Sequence, residues 1–209
     1  MSAKLIGIPG YKTETSFGAG LTHLEYISEF GFPRILMPHE ETFEGIDALY
    51  LPGGLDINPS TYGKVPRFKT SNQDVFKQFF LDNRLDWFIQ NRIPIFAVCM
   101  GAQALACRFG ATLIQNLKYH PQSKDRWVEG HSVILKGGIL KDYNEKTPPK
   151  ERLQLNSHHH QGIIIPEDNK ELEVLAWFND YDGRIVEVAR HRTLPIVMCQ
   201  HHPKYFGAC

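Results

Sequence analysis

A thiol sits where a short apolar run meets a run of helix formers, in IPIFAVCMGAQALACRFG, residues 93–110. Two physical effects act on Cys99 at such a junction. The sharp turn pushes its side chain out of the strand. The helix start adds unpaired N–H groups and a partial positive charge, which favour thiolate over thiol. A reacting carbonyl oxygen nearby could meet the Met100 N–H, the geometry of a nucleophile elbow, and Gly101 lets the chain turn closely there. The plainer reading is a core thiol at the end of a buried strand, and the local residues alone favour neither. For Cys107 and Cys199 burial as a small hydrophobe is the expectation. The triple His158, His159 and His160 invites a metal reading. Along an extended chain His158 and His160 share a face and His159 opposes them. Zinc needs three or four convergent ligands, and no cysteine or carboxylate partner lies near the triple in sequence, so no metal is expected.

The elements that must hold these residues can be read from the pattern. KLIGI, RILMP, ALYLPGG and IPIFAVC are brief apolar runs bounded by Gly or Pro, as in strands buried on both faces of a parallel sheet. Helical segments lie between them. AGLTHLEYISEFG, residues 19–31, spaces Leu21, Leu24 and Ile27 helically and ends in Gly31. QDVFKQFFLDNRLDWFIQNRI, residues 73–93, puts Phe76, Phe80, Leu81, Leu85 and Phe88 on one broad stripe, with Asp74 in or near its first turn. This alternation predicts an α/β fold with an open, mostly parallel sheet flanked by helices. In the C-terminal half HSVILKGG, LQLNS, LEVLAWFN, RIVEVARH and LPIVMCQ are strand-like with few helices between, which predicts antiparallel additions to the sheet. DYNEKTPPKER, residues 142–152, reads as a surface loop. One domain, residues 1–209, is expected.

Composition narrows the function. Lys plus Arg and Asp plus Glu balance at 23 each, so nothing electrostatic points to nucleic acid or an anionic membrane. No apolar stretch is long enough for a bilayer. MSAKLIGIPG lacks the long apolar region of a signal peptide, so a reducing cytoplasm and free thiols are expected.

Four blocks, in order along nearly the whole chain, carry a resemblance. CMGAQ resembles the Cys-x-Gly-x-Gln elbow of class I glutamine amidotransferases. ALYLPGGLDINPSTYG, residues 48–63, resembles the loop that supplies their second oxyanion N–H. LNSHHHQGI, residues 155–163, resembles the Asn-Ser-x-His-x-Gln-Gly segment of the γ-glutamyl hydrolase branch. IVMCQHHP, residues 196–203, resembles the strand that bears the catalytic histidine. The loop LDINPSTYG, with Pro59, Tyr62 and Gly63, is most similar to that of the γ-glutamyl-γ-aminobutyrate hydrolases.

The resemblance implies a flavodoxin-like fold of the class I amidotransferase type. It implies Cys99 as nucleophile and His202 as base, in preference to His201, which aligns with a tryptophan of the family. It implies oxyanion donors on Met100 and Gly54, with Gly53 as near alternative and substrate contact. Gln103 and His159 are implied as further substrate-binding residues. No cofactor is implied. The substrate would be a γ-glutamyl amide or glutamine, and the partner, if any, a synthetase or a second copy of the chain. One position departs: the family's glutamate two places after the histidine is Lys204 here. A lysine cannot accept the imidazole's hydrogen bond, and its charge opposes imidazolium. Three readings follow: a carboxylate from elsewhere, a Cys–His dyad, or a relative that binds without turnover.

Overall fold

The structure is a computed structural model and describes residues 4–12, 16–67, 70, 73–123, 128–136 and 152–202. Lys204, Cys209 and nearly all of the loop 142–152 lie outside the described residues.

In chain order the elements are β1 (Leu5–Pro9), a hairpin of β2 (Tyr11–Lys12) and β3 (Phe17–Gly18), α1 (Leu21–Ser28), β4 (Phe32–Leu36) and β5 (Ala48–Leu51). A short 3₁₀ turn (Pro59–Tyr62) precedes α2 (Val75–Asn83), α3 (Leu85–Gln90), β6 (Ile95–Val98) and α4 (Met100–Arg108). The rest is strand: β7 (Thr112–Ile114), β8 (Glu129–Leu135), β9 (Arg152–Asn156), β10 (Gly162–Ile164), β11 (Leu172–Asp180), β12 (Gly183–His191) and β13 (Ile196–Cys199).

The main sheet runs β4-β1-β5-β6-β13-β12-β11-β8-β9, with β10 joining β12 to β7. Its first five strands are parallel, and every pairing beyond β13 is antiparallel. The expected α/β sheet, mostly parallel at its heart with antiparallel additions from the C-terminal half, is therefore present. The strand LPIVMCQ belongs to the parallel part: β13 lies directly beside β6. Hydrophobicity marks it as buried but cannot say which neighbour it pairs with.

The predicted helix over 73–93 is divided. Arg84, at φ −122°, ends α2 and starts α3. Phe80, Leu85 and Phe88 still reach the core from both pieces. Asp74 is the N-cap of α2, its carboxylate accepting from Phe76 N at 3.1 Å and Lys77 N at 3.2 Å. In α1 Ile27 is buried, but Leu21 is 70% exposed, so the apolar stripe reaches the core only in its second turn.

β6 and α4 form the centre. Ala97 and Val98 are fully buried, and so are Ala102, Leu105 and Ala106 in the helix that follows. A helix so apolar all round must lie inside, and its small residues let it approach the sheet. Gly101 is the closest approach: a Cβ there would stand 2.5 Å from the Leu51 carbonyl oxygen. Between strand and helix, Cys99 adopts φ 51°, ψ −114°. That conformation is strained for any residue with a Cβ, at a cost of about 1–3 kcal/mol.

Two stability predictions follow from this junction. Gly101→Ala should lower the unfolding free energy in denaturant melts by about 1–3 kcal/mol, as overpacking does. Cys99→Gly should be more stable than Cys99→Ala by about 1 kcal/mol, because only glycine tolerates the positive φ without strain.

Candidate active site

Strand register brings the predicted residues together. In the parallel sheet Leu51 of β5 lies beside Ala97 of β6, and Val98 lies beside Cys199 of β13. Three neighbouring strands thus end at one edge. Gly53 follows two residues after the end of β5, Cys99 one after β6 and His202 three after β13. Ligands of open α/β sheets bind beyond such carboxyl ends. Cys99 is fixed on both sides by its main chain. Its N–H donates to Cys199 O at 2.8 Å, and its carbonyl accepts from Gln103 N at 3.0 Å, opening α4.

Gly53 marks where thiol and imidazole converge. A Cβ at this residue would lie 3.2 Å from Cys99 Cβ, 3.7 Å from its Sγ and 3.2 Å from His202 Cε1. A Cβ at Gly54 would lie 2.9 Å from Lys77 Nζ and 3.1 Å from Met100 Cε. These glycines keep the space between thiol, histidine and loop clear. The cleft above them has a volume of about 950 Å³. Cys99, His202, Gly53, Gly54, His158, His160 and Lys77 line it, together with Tyr11, His23, Asp56 and Phe76.

The histidine loop is held from the far end of the sheet. Asn156, fully buried at the end of β9, accepts from His202 N at 3.0 Å and donates through Nδ2 to His202 O at 2.9 Å. One side chain thus satisfies both main-chain groups of His202. β9 is last in the hydrogen-bonding order, so the antiparallel half must curl back for Asn156 to reach the end of β13.

Lys77 is a buried cation beside the thiol. It is 8% exposed, and its Nζ donates to Gly53 O at 2.8 Å. Burial lowers its pKa, opposed by the charges of Asp74 and Cys99. A cation so placed favours a thiolate at Cys99. The other two described cysteines differ: burial pushes the thiols of Cys107 and Cys199 up to about 12. Cys99 is the one described cysteine that lines the cleft.

The remaining predicted residues are placed unequally. His158 and His160 face the cleft, His160 paired with Asp56 at 2.9 Å, while His159 is turned to the interior with its side chain 1% exposed. The alternation expected of an extended chain holds, although residues 157–161 form no strand. His159 is therefore not a cleft residue. Gln103 is buried behind the cleft, its amide 3.2 Å from Gln200 Oε1 and 3.4 Å from Gln161 O. From there it braces the two segments on either side of the site. His201 is also buried; desolvation first, then the neighbouring His131, lowers its pKa to about 4. Between the adjacent histidines, only His202 reaches the cleft.

Lys77 and Asn156 were not predicted. Lys77 is the third residue of α2, next to Phe76 at the head of the apolar stripe, and nothing in its spacing marks it. Asn156 lies inside the block LNSHHHQGI, but nothing in its spacing reveals a partner 46 residues away.

Known proteins resemble this chain in sequence and in fold. The chain is 31% identical over 178 residues to the glutamine amidotransferase-like protein PB2B2.05 of Schizosaccharomyces pombe, covering 77% of this chain and 67% of that one. It is 26% identical over 205 residues to the γ-glutamyl-γ-aminobutyrate hydrolase PuuD of Escherichia coli, covering 88% and 77%. A glutamine amidotransferase of Thermotoga maritima superposes with a TM-score of 0.61 at 12% identity, over 97% of this chain and 76% of that one, which speaks for the fold alone. The Peptidase C26 family matches residues 27–204. With elbow, glycine loop and histidine strand meeting at one sheet edge, the chain belongs to the Peptidase C26 family, of the class I glutamine amidotransferase-like kind.

Proposed function

We propose that this protein hydrolyses γ-glutamyl amide bonds through a γ-glutamyl thioester on Cys99. The observation that carries the reading is the meeting of Cys99 and His202 over Gly53, at the floor of an open cleft.

The steps follow from the chemistry of these groups. The Cys99 thiolate attacks the side-chain carbonyl carbon, and the C=O pair moves onto oxygen. The N–H groups of Met100, first in α4, and of Gly54 are the donors for that oxyanion. His202 gives its proton to the departing amine as the C–N bond breaks, leaving the thioester. Water then adds to the thioester carbonyl while His202 takes its proton. The C–S bond breaks, glutamate leaves and the thiol is restored. A thiol needs less help from a base than a hydroxyl does, so a Cys–His dyad suffices even though lysine stands where the family's glutamate is. The Lys77 ammonium lowers the cost of the thiolate and offers a positive charge to an anionic substrate at the cleft wall.

The second reading is a glutaminase subunit that supplies ammonia to a synthetase. The likeness to the glutamine amidotransferase-like protein of Schizosaccharomyces pombe favours it. The cytoplasm is the expected setting for either; no helix among the described residues is long and apolar enough to cross a membrane.

The isolated chain should release glutamate from γ-glutamyl amines, and both Cys99→Ser and His202→Ala should reduce that rate by about a thousandfold or more. Release from glutamine alone, and only after a synthetase is added, would favour the second reading. No release from either, with Cys99 no more reactive to a glutamine-mimicking alkylator than Cys107 and Cys199, would leave a binding protein. Lys77→Met should shift the pH profile of Cys99 alkylation upward by about one unit, since removing a nearby cation raises the thiol pKa. An unchanged profile would remove Lys77 from the site's electrostatics.

A further inference from the structure

Behind the cleft lies a second group of chemistry-bearing side chains that the hydrolytic reading does not use. Glu187 projects from β12 with its side chain fully buried. Around its Oε1 stand three imidazole nitrogens: His131 Nε2 at 3.2 Å, His120 Nε2 at 3.6 Å and His159 Nε2 at 3.7 Å. All three rings are at most 1% exposed. Neither carboxylate oxygen of Glu187 meets a hydrogen-bond donor among the described residues.

The outer contacts decide where the protons sit. The other ring nitrogen of His159, Nδ1, is 2.9 Å from the carbonyl of Gln161 and donates to it. That of His120 stands 3.3 Å from Asp180 Oδ2, itself 1% exposed. The Gln161 carbonyl fixes the His159 proton on Nδ1, whereas Asp180 stands close to Nδ1 of His120 without a hydrogen bond between them. The His159 Nε2 is then a lone pair facing the Glu187 carboxyl group, with Ser157 Oγ at 3.4 Å the nearby hydroxyl, and neither ring nitrogen of His120 makes a hydrogen bond among the described residues. Buried polar atoms without partners are costly in a dry interior, and a cation held between them would satisfy all three groups at once.

We propose that His120, His159 and Glu187 bind a divalent transition-metal ion, zinc foremost, at a structural site separate from the cleft. Their donor atoms lie within 4.8 Å of one another. With metal–ligand bonds of about 2.0–2.1 Å, the edge of a ligand tetrahedron is about 3.3–3.4 Å. The Glu187 separations of 3.6 and 3.7 Å are long for hydrogen bonds but close to that edge. Two imidazoles and one carboxylate are a zinc donor set, and the carboxylate and carbonyl behind the imidazoles are the outer contacts that fix a metal-binding histidine. His131, beside the same oxygen, completes the wall. The adjacent histidines 158–160 have no cysteine or carboxylate partner nearby in sequence, and no metal is expected from them. Only one of those contributes. The others come from residues 28 and 39 positions away, and folding alone assembles them.

This proposal is independent of the hydrolytic reading, and its test does not depend on activity. Untagged full-length protein is stripped with a chelator, exchanged into metal-free buffer and titrated with Zn²⁺ or Co²⁺. The expected results are one equivalent retained per chain after dialysis, intense four-coordinate visible bands for Co²⁺, and a higher melting temperature with Zn²⁺. Asp180→Asn, which leaves the three ligands in place, should weaken binding by about 10- to 100-fold. Glu187→Gln should abolish the Co²⁺ bands while circular dichroism reports a folded chain. Should Glu187→Gln fail to fold, the Asp180→Asn affinity decides. A folded wild-type chain that retains no Zn²⁺ and gives no Co²⁺ bands overturns the site. So does undiminished retention by the folded Glu187→Gln or the Asp180→Asn protein.

Discussion

The site depends on one parallel pairing, that of β6 with β13. Its last hydrogen bond runs from Cys99 N to Cys199 O, at 2.8 Å. It joins points 100 residues apart, and the elbow sits at one end of it and the histidine loop at the other. Shifting this register by one residue would turn every side chain of one strand to the other face. The thiol and His202 would then no longer meet over Gly53. Burial holds the register: Ala97, Val98, Ile196 and Met198 are all within the core, so slippage would expose or strand apolar surface on both strands.

Around that pairing the molecule divides its labour. The parallel half gives a rigid edge from which Gly53 and Cys99 project. The antiparallel half gives little to the edge itself, but it curls back to seat Asn156 against His202 and to bury the histidines around Glu187. Gln103 ties the halves together, since its amide reaches both Gln161 and Gln200. His158, His159 and His160 straddle the boundary, two of them facing the cleft and the middle one the interior cluster.

Much of this was legible in the sequence, for identifiable reasons. Short apolar runs punctuated by Gly and Pro gave the parallel strands, and a cysteine between strand and helix gave the elbow. The period of two separated His159 from its neighbours. What could not be read was partnership across long separations. No pattern in LPIVMCQ says that it inserts beside β6. Nothing around Asn156 announces two hydrogen bonds to a residue 46 positions on. The single stripe over residues 73–93 hid the break at Arg84, because both α2 and α3 turn their apolar faces to the same core. Gln103, implied as a substrate contact by resemblance, spends its amide on main-chain and side-chain neighbours instead, a fact of packing that spacing cannot encode.

The double clamp of Asn156 on His202 has a kinetic side. His202 is anchored through its main chain to a strand at the sheet's terminal edge, where among the described residues β8 alone supplies ladder hydrogen bonds. Edge hairpins open more readily than central strands. Fraying of this hairpin would release the imidazole while the elbow and the parallel core stayed intact. The meeting of thiol and imidazole can thus be lost transiently without global unfolding, and the time spent in that opened form is set at a place far along the sheet from the thiol.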